Sequence, residues 1–237
     1  MKLVLKKKPK QGCTVIEGFP GIGLVGTIAT EFLIRHLKAE KIGYMRGQGV
    51  PPMVALHDNK VVSPMGVYYA PKQNIVILHF ISGSMGNEWH ISDIIINFSK
   101  KYKAKEVVSL ESIAVPGGFL ANEKTYYFSN DKASSNKLKK LKIEELKEGI
   151  VMGVTGVLVA SNEFPLTCLF GETHTKLPDS KAAADIIDVL NAYMDLNIDT
   201  KPLRKSAEEF EKKIKQMIAS TAKMQKKGAD EQLSYLG

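Results

Sequence analysis

The chain has 237 residues, 44% of them hydrophobic, which is enough for one substantial domain with a packed core. No apolar run approaches the roughly 18 residues that cross a bilayer, and the apolar patch after Met1 is too short for a signal peptide, so the expectation is a cytoplasmic protein. The formal charge of +8 is almost all lysine, with arginine only at 35, 46 and 204, which argues against nucleic acid as the partner, and Cys13 and Cys168 give neither a disulfide framework nor a cysteine zinc site.

In chain order, Thr14–Glu17 reads as a strand and Leu24–Leu37 as a helix with an apolar face. Lys41–Arg46 is a short strand, and Pro51-Pro52 breaks the chain. Val61–Ser63 and Val67–Ala70 read as two hairpin strands, and Asn74–Ile81 as a strong strand. A helix is expected over about 88 to 102, then a strand over Glu106–Leu110, a turn at Val115-Pro116-Gly117-Gly118 and a strand over Thr125–Phe128. Asn136–Lys147 is amphipathic. Gly149–Leu158 starts as strand and becomes helix near Gly156. Leu166–Phe170 is a strand, and a helix runs from Pro178-Asp179-Ser180 to about Leu196, capped by Asp179 or Ser180. This alternation predicts an α/β domain with a substantially parallel sheet, made mixed by the hairpin.

The last segment changes character. Leu203, Ala207, Phe210, Ile214, Met217, Thr221 and Met224 repeat at alternating spacings of four and three, a heptad seam of about three heptads. It fits either a terminal helix packed on its own domain or one that meets a partner. Gly228 ends it, and a tail follows with Leu233, Tyr235, Leu236 and Gly237. The organisation expected is a body over 1–200, a helix over 201–227 and a flexible tail over 228–237.

Candidate chemistry begins at Gly18-Phe19-Pro20-Gly21-Ile22-Gly23-Leu24-Val25-Gly26. Gly21, Gly23 and Gly26 have the spacing of a dinucleotide-binding turn, G-x-G-x-x-G, at a strand–helix junction. The acidic residue that such a site needs about 20 positions on is not well placed: Glu40 precedes the next strand, which ends at Arg46 and Gly47. We read the glycines as close packing of helix on strand, with no cofactor. No histidine pair has metal-ligand spacing. His79, in an apolar strand, reads as a satisfied core residue, and His90, beside Trp89 on a helix, as a packing residue. Ser82-Gly83-Ser84 lacks the nucleophile-elbow pattern, but a loop after a parallel strand keeps a small-molecule pocket open. Gly171-Glu172-Thr173-His174 follows a strand, with Gly171 read as a turn. Glu172 and His174 there are either an acid–base pair or residues that hold the loop.

Three separated motifs, collinear over about residues 12 to 200, resemble the proteasome assembly chaperone 2 family. They are the 18–26 string, Gly153-Val154-Thr155-Gly156-Val157-Leu158-Val159-Ala160, and Phe170-Gly171-Glu172-Thr173-His174 with Leu177-Pro178-Asp179 and the alanines 182–184. The resemblance implies an α/β/α sandwich of the phosphorylase/hydrolase type, homo-oligomers, and in archaeal members a non-enzymatic chaperone role on proteasome α-subunits. Some members are understood to dock a C-terminal tail ending hydrophobic–tyrosine–any residue. Here Tyr235 is third from the end, one position off that pattern. Partner contacts are then expected from Leu203, Phe210, Ile214, Met217 and Met224 and from the tail. The competing expectation is a nucleoside- or nucleotide-like small-molecule binder or enzyme on the same architecture.

Overall fold

A computed structural model describes residues 1–57, 59–83, 86–114, 124–173 and 177–207. Its centre is a nine-stranded mixed sheet. The strands are β1 (Lys2–Leu5), β2 (Thr14–Gly18), β3 (Glu40–Arg46), β6 (Met65–Ala70), β7 (Ile75–Phe80), β8 (Val107–Ala114), β9 (Thr125–Ser129), β10 (Glu144–Glu145) and β11 (Leu166–Thr173). They lie in the order β1-β3-β6-β7-β2-β8-β11-β9-β10. The middle four, β7, β2, β8 and β11, are mutually parallel. Both flanks are antiparallel apart from the short β9–β10 pairing. A small hairpin of β4 (Ala55–His57) and β5 (Lys60–Val62) stands apart from the sheet.

Parallel strands buried on both faces read as continuous apolar runs, which is why β7, Ile-Val-Ile-Leu-His-Phe, is buried along its whole length. Alternate side chains serve opposite layers. Val15 and Leu78 join the core beneath α2 (Glu88–Lys101) and α4 (Gly153–Ser161), whereas Ile16 and Ile77 join the core beneath α1 (Val25–His36) and α5 (Ser180–Met194), with α3 (Lys132–Lys140) adding Leu138. The result is a three-layer α/β/α sandwich, as expected.

Several local expectations change. Val61–Ser63 and Val67–Ala70 do not pair with each other; β5 pairs with β4, while β6 turns through residues 71–74 into β7. The amphipathic helix lies earlier than its apolar spacing suggested, at Lys132–Lys140, because Asp131 caps it by accepting from the Ser134 amide at 2.8 Å and Lys142, at φ 61°, ends it. Leu146 then donates its amide to the Tyr127 carbonyl beside β9. Residues 149–152 are not strand; α4 starts at Gly153, whose φ of 70° suits glycine. Gly171 is no turn but lies inside β11, where an added Cβ would stand 3.0 Å from Ile186 of α5. Asp179 is the α5 cap, accepting from the Ala182 amide at 2.9 Å. The turn expected at 115–118 lies outside the described residues.

Candidate protein-interaction surface

The three sequence motifs converge at the carboxyl ends of the parallel strands. Gly18 ends β2 against α1: a Cβ on Gly18 would lie 2.3 Å from the Gly26 carbonyl oxygen, and one on Gly26 would lie 2.2 Å from that of Leu110 in β8. Backbone therefore touches backbone across this junction, and no side chain fits. Phe19 leaves the strand and stacks on Phe80 with ring centroids 4.1 Å apart, and Pro20 turns the chain out to Gly21. Gly23, at φ 66°, sits against Thr173 and Asp179. Thr173 donates to Asp179 at 2.8 Å, and the Asp179 amide donates to the Gly23 carbonyl at 2.8 Å. The first motif is thus clasped by the third.

The second motif reaches the same place through Thr155. Its hydroxyl stands 2.7 Å from Glu111 Oε1, 3.2 Å from Glu17 Oε1 and 2.9 Å from Ser109 Oγ. A threonine hydroxyl has one hydrogen to give. Thr155 can give it to only one of the two carboxyls, Glu111 being the nearer, so the other meets the same oxygen favourably only as the protonated acid. Glu17 is 0% exposed, and its Oε2 is buried with no hydrogen-bond partner. Burial, then the neighbouring Glu111 charge, pushes the Glu17 carboxyl up to about 8; burial pushes Glu111 up to about 7, against the Thr155 bond. Burial and then the two glutamates hold the Cys168 thiol well above its ordinary range. The sequence reading missed both glutamates. The available signal was an acid amid the otherwise apolar strand Thr14-Val15-Ile16-Glu17-Gly18.

These carboxyls bear on the glycine turn. An added Cβ on Gly21 would lie 3.1 Å from Ser112 Oγ and 3.4 Å from Glu111 Oε2. A pyrophosphate seated on this turn would meet acidic groups, where a dinucleotide site presents amides and a helix end. Glu172 accepts from the Lys124 amide at 3.0 Å and from the Tyr126 hydroxyl at 2.9 Å, which supports the loop-holding role; His174 lies outside the described residues. Gly156 packs tightly, with a would-be Cβ 2.5 Å from the Val151 carbonyl. His79 is buried between Thr30 Oγ1, 2.9 Å from Nδ1, and Glu31, 3.3 Å from Nε2, as a satisfied core residue; burial lowers its pKa. His90 differs from expectation: it is exposed, with Nε2 2.8 Å from the Met1 carbonyl. Among the described residues no cluster of three or more His, Cys, Asp or Glu is arranged to hold a metal.

Around this polar knot the same edge is oily. Ile22 and Leu24 follow β2; Trp89, 68% exposed, opens α2 after β7; Leu177 follows β11. Ile150 and Met152, 87% and 77% exposed, precede α4, whose first turn carries Thr155. Met53, Val54 and Val61 belong to residues 47–64, which leave β3 and re-enter β6 opposite Phe80, at the same edge. The large hydrophobic side chains exposed among the described residues therefore gather at one end of the sandwich.

The predicted C-terminal contacts divide. Leu203 and Ala207 are buried in the described part of the helix over 201–207, with Leu203 in the α1/α5 core, so Leu203 faces its own body. Phe210, Ile214, Met217, Met224, Leu233, Tyr235, Leu236 and Gly237 lie outside the described residues.

Fold and site together define an α/β/α sandwich whose sequence motifs build a packed junction and whose large exposed hydrophobic side chains, among the described residues, lie toward the carboxyl edge of the sheet. The chain belongs to the PAC2 family, whose sequence pattern matches residues 15–218. It is 31% identical over 242 residues to an uncharacterised protein of Methanocaldococcus jannaschii, spanning 100% of this chain and 98% of that one. It is similar to the crystal structure of PbaA from Pyrococcus furiosus, described as an archaeal homolog of proteasome-assembly chaperone, with TM-score 0.86, 29% identity and coverage of 96% of both chains. It shares its fold with Pyrococcus furiosus PbaB, described as an archaeal proteasome activator, with TM-score 0.79, 22% identity and coverage of 91% of this chain and 98% of that one. No helix among the described residues is long and apolar enough to cross a membrane.

Proposed function

We propose that this protein is a non-enzymatic, homo-oligomeric, cytoplasmic assembly chaperone that binds proteasome α-subunits. The observation that carries the reading is the gathering of exposed hydrophobic side chains at the carboxyl edge of the sheet in a chain of this family. The PbaA likeness supports the choice of partner. The motif residues support a structural role for the junction: Gly18 and Gly26 bring backbone against backbone, and Thr155 ties α4 to Glu17 and Glu111. An oligomer displaying several such edges would hold subunits at raised effective concentration and cover their unpaired faces. The net charge of +8 would speed encounter with acidic partners and make capture salt-sensitive.

The test is a native mass measurement of the protein mixed with proteasome α-subunits. Complexes at defined stoichiometry are expected, weakened when the chain is cut at Gly228. Unchanged capture after the cut removes the tail from the mechanism; no capture at all removes the proposal. A ligand screen by thermal shift with nucleosides, nucleotides and phosphate checks the competing small-molecule reading, and no stabilisation is expected.

A further inference from the structure

Helix α4 is a poor helix by composition. Its nine residues, Gly153–Ser161, include Gly153 and Gly156 and the β-branched Val154, Thr155, Val157 and Val159. Met152 caps it with no side-chain bond, and the Gly156 amide reaches the Met152 carbonyl at 3.3 Å. A segment this short is not helical in water by itself. Docking holds it: Val154 and Leu158 are buried in the core shared with α2, and Thr155 ties its first turn to the sheet.

The tether lands on two acids and no base. Glu17 stands beside Leu78 of β7 and Ser109 of β8, and Cys168 of β11 lies one strand further on. In the helix layer α2 brings Ile91 and Ile95, and α4 brings Thr155. The titratable groups that meet here are Glu17, Glu111 and the Cys168 thiol, and among the described residues no Lys, Arg or His pairs with either carboxyl. Ser109 Oγ, 2.9 Å from the Thr155 oxygen, adds a hydrogen but no charge.

The count of hydrogens then decides the fit. With one proton on the pair, Thr155 gives its hydrogen to one carboxylate, and the protonated partner donates to the Thr155 oxygen. The first turn of α4 is then bonded to both β2 and β8. With no proton on the pair, two carboxylates face the one threonine hydrogen, and the second buried charge has no cation to offset it. Strand β2 is held on both sides by β7 and β8, so the sheet does not yield. The element that yields is α4, which lifts and admits water.

We propose that the proton shared among Glu17, Thr155 and Glu111 is a latch on α4. While the proton is present the first turn is docked on the sheet. When it leaves, the turn opens, and the chain entering it, with the exposed Ile150 and Met152, moves at the carboxyl edge. The latch stands whichever partner that edge meets.

The test is amide hydrogen exchange of the full chain at pH 6 and pH 9, each rate divided by its intrinsic value. Gly156 and Val157 report the first turn of α4, and Ile77 in β7 reports the sheet. Burial raises the Glu17 carboxyl to about 8, so an opening that hydrates it becomes up to about 100-fold more frequent between these two pH values. Gly156 and Val157 are expected to open at least about tenfold more often at pH 9 than at pH 6, and at least about tenfold more often than Ile77 at pH 9. In Glu17→Gln the rise with pH is expected to fall below about threefold. The Met152 methyl resonance is expected to move over the same pH range in the native protein. Equal opening of the first turn at both pH values would overturn the proposal, as would an α4 that opens only together with Ile77, a rise kept in full by Glu17→Gln, or a Met152 methyl that does not move. The native comparison decides by itself should Glu17→Gln fail to fold, and it does so whether or not α-subunits bind.

Discussion

Replacing Glu17 by glutamine isolates the proton held at the motif junction. In the unfolded chain Glu17 titrates near 4.5, and in the folded protein near 8. Between those values the folded state holds a proton that the unfolded state has released, so stability falls as pH rises through this window. It is fully present below about 4.5 and lost by about 8. One proton per molecule corresponds to about 1.4 kcal/mol per pH unit, so the window sums to on the order of 4 kcal/mol. Glutamine keeps the shape and the ability to donate to Thr155 without a charge to desolvate. Urea unfolding of both proteins from pH 5 to pH 9 reads the difference. The native midpoint is expected to fall with pH throughout, while Glu17→Gln keeps only the slope that Glu111, raised to about 7, contributes below that pH, so the two profiles diverge and the variant becomes the more stable protein by pH 8. Parallel profiles across the range would refute the shared-proton reasoning, because they would place Glu17 in the folded state as an ordinary ionised carboxylate.

Three further outcomes follow from the geometry. Gly26→Ala is expected to cost about 3 kcal/mol or more, because its Cβ would meet the Leu110 carbonyl at 2.2 Å, whereas Gly83→Ala, with nothing within 4 Å, should melt with the native protein in a thermal scan. Asp179→Ala removes both the α5 cap and the Thr173 bond and should cost about 1–2 kcal/mol, read as a midpoint about 2–8 °C lower; an unchanged midpoint would show that the clasp on Gly23 is incidental. Trp89→Ser combined with Met152→Ser should leave stability within about 0.5 kcal/mol yet weaken capture of α-subunits about tenfold or more by titration; full-strength capture would move the contact surface elsewhere.

The α/β class was legible because its central strands are apolar runs and its helices carry apolar faces, whereas the three-layer sandwich followed only from the family resemblance. Asn74–Ile81 announces β7 by composition alone, and Asp179 announces the start of α5 by the chemistry of its side chain. Errors arose where pairing decides structure. Val61–Ser63 carries the same local signal whether it meets Val67–Ala70 or Ala55–His57, and periodicity does not choose a partner. Residues 149–152 look like a strand because Ile150, Val151 and Met152 are apolar, but apolar residues that serve an exposed edge have the same composition as those that serve a core. The close approach of helix to strand at Gly26 was legible, while Gly171, expected as a turn, packs inside β11. The Glu17–Thr155–Glu111 group was not legible, since it forms between side chains that only the completed sheet brings together.

Thr155 stands 138 positions after Glu17 in the chain. At synthesis rates of about 5–20 residues per second, roughly 7–28 s separate the emergence of the two from the ribosome. Strand β2 cannot be enclosed on both sides before β8 and the α4–β11 unit arrive, so the amino-terminal half waits with its acid hydrated and ionised. Its sealing is thus a late, long-range event of the kind that slows folding, and uptake of the proton marks the moment when the nascent body closes.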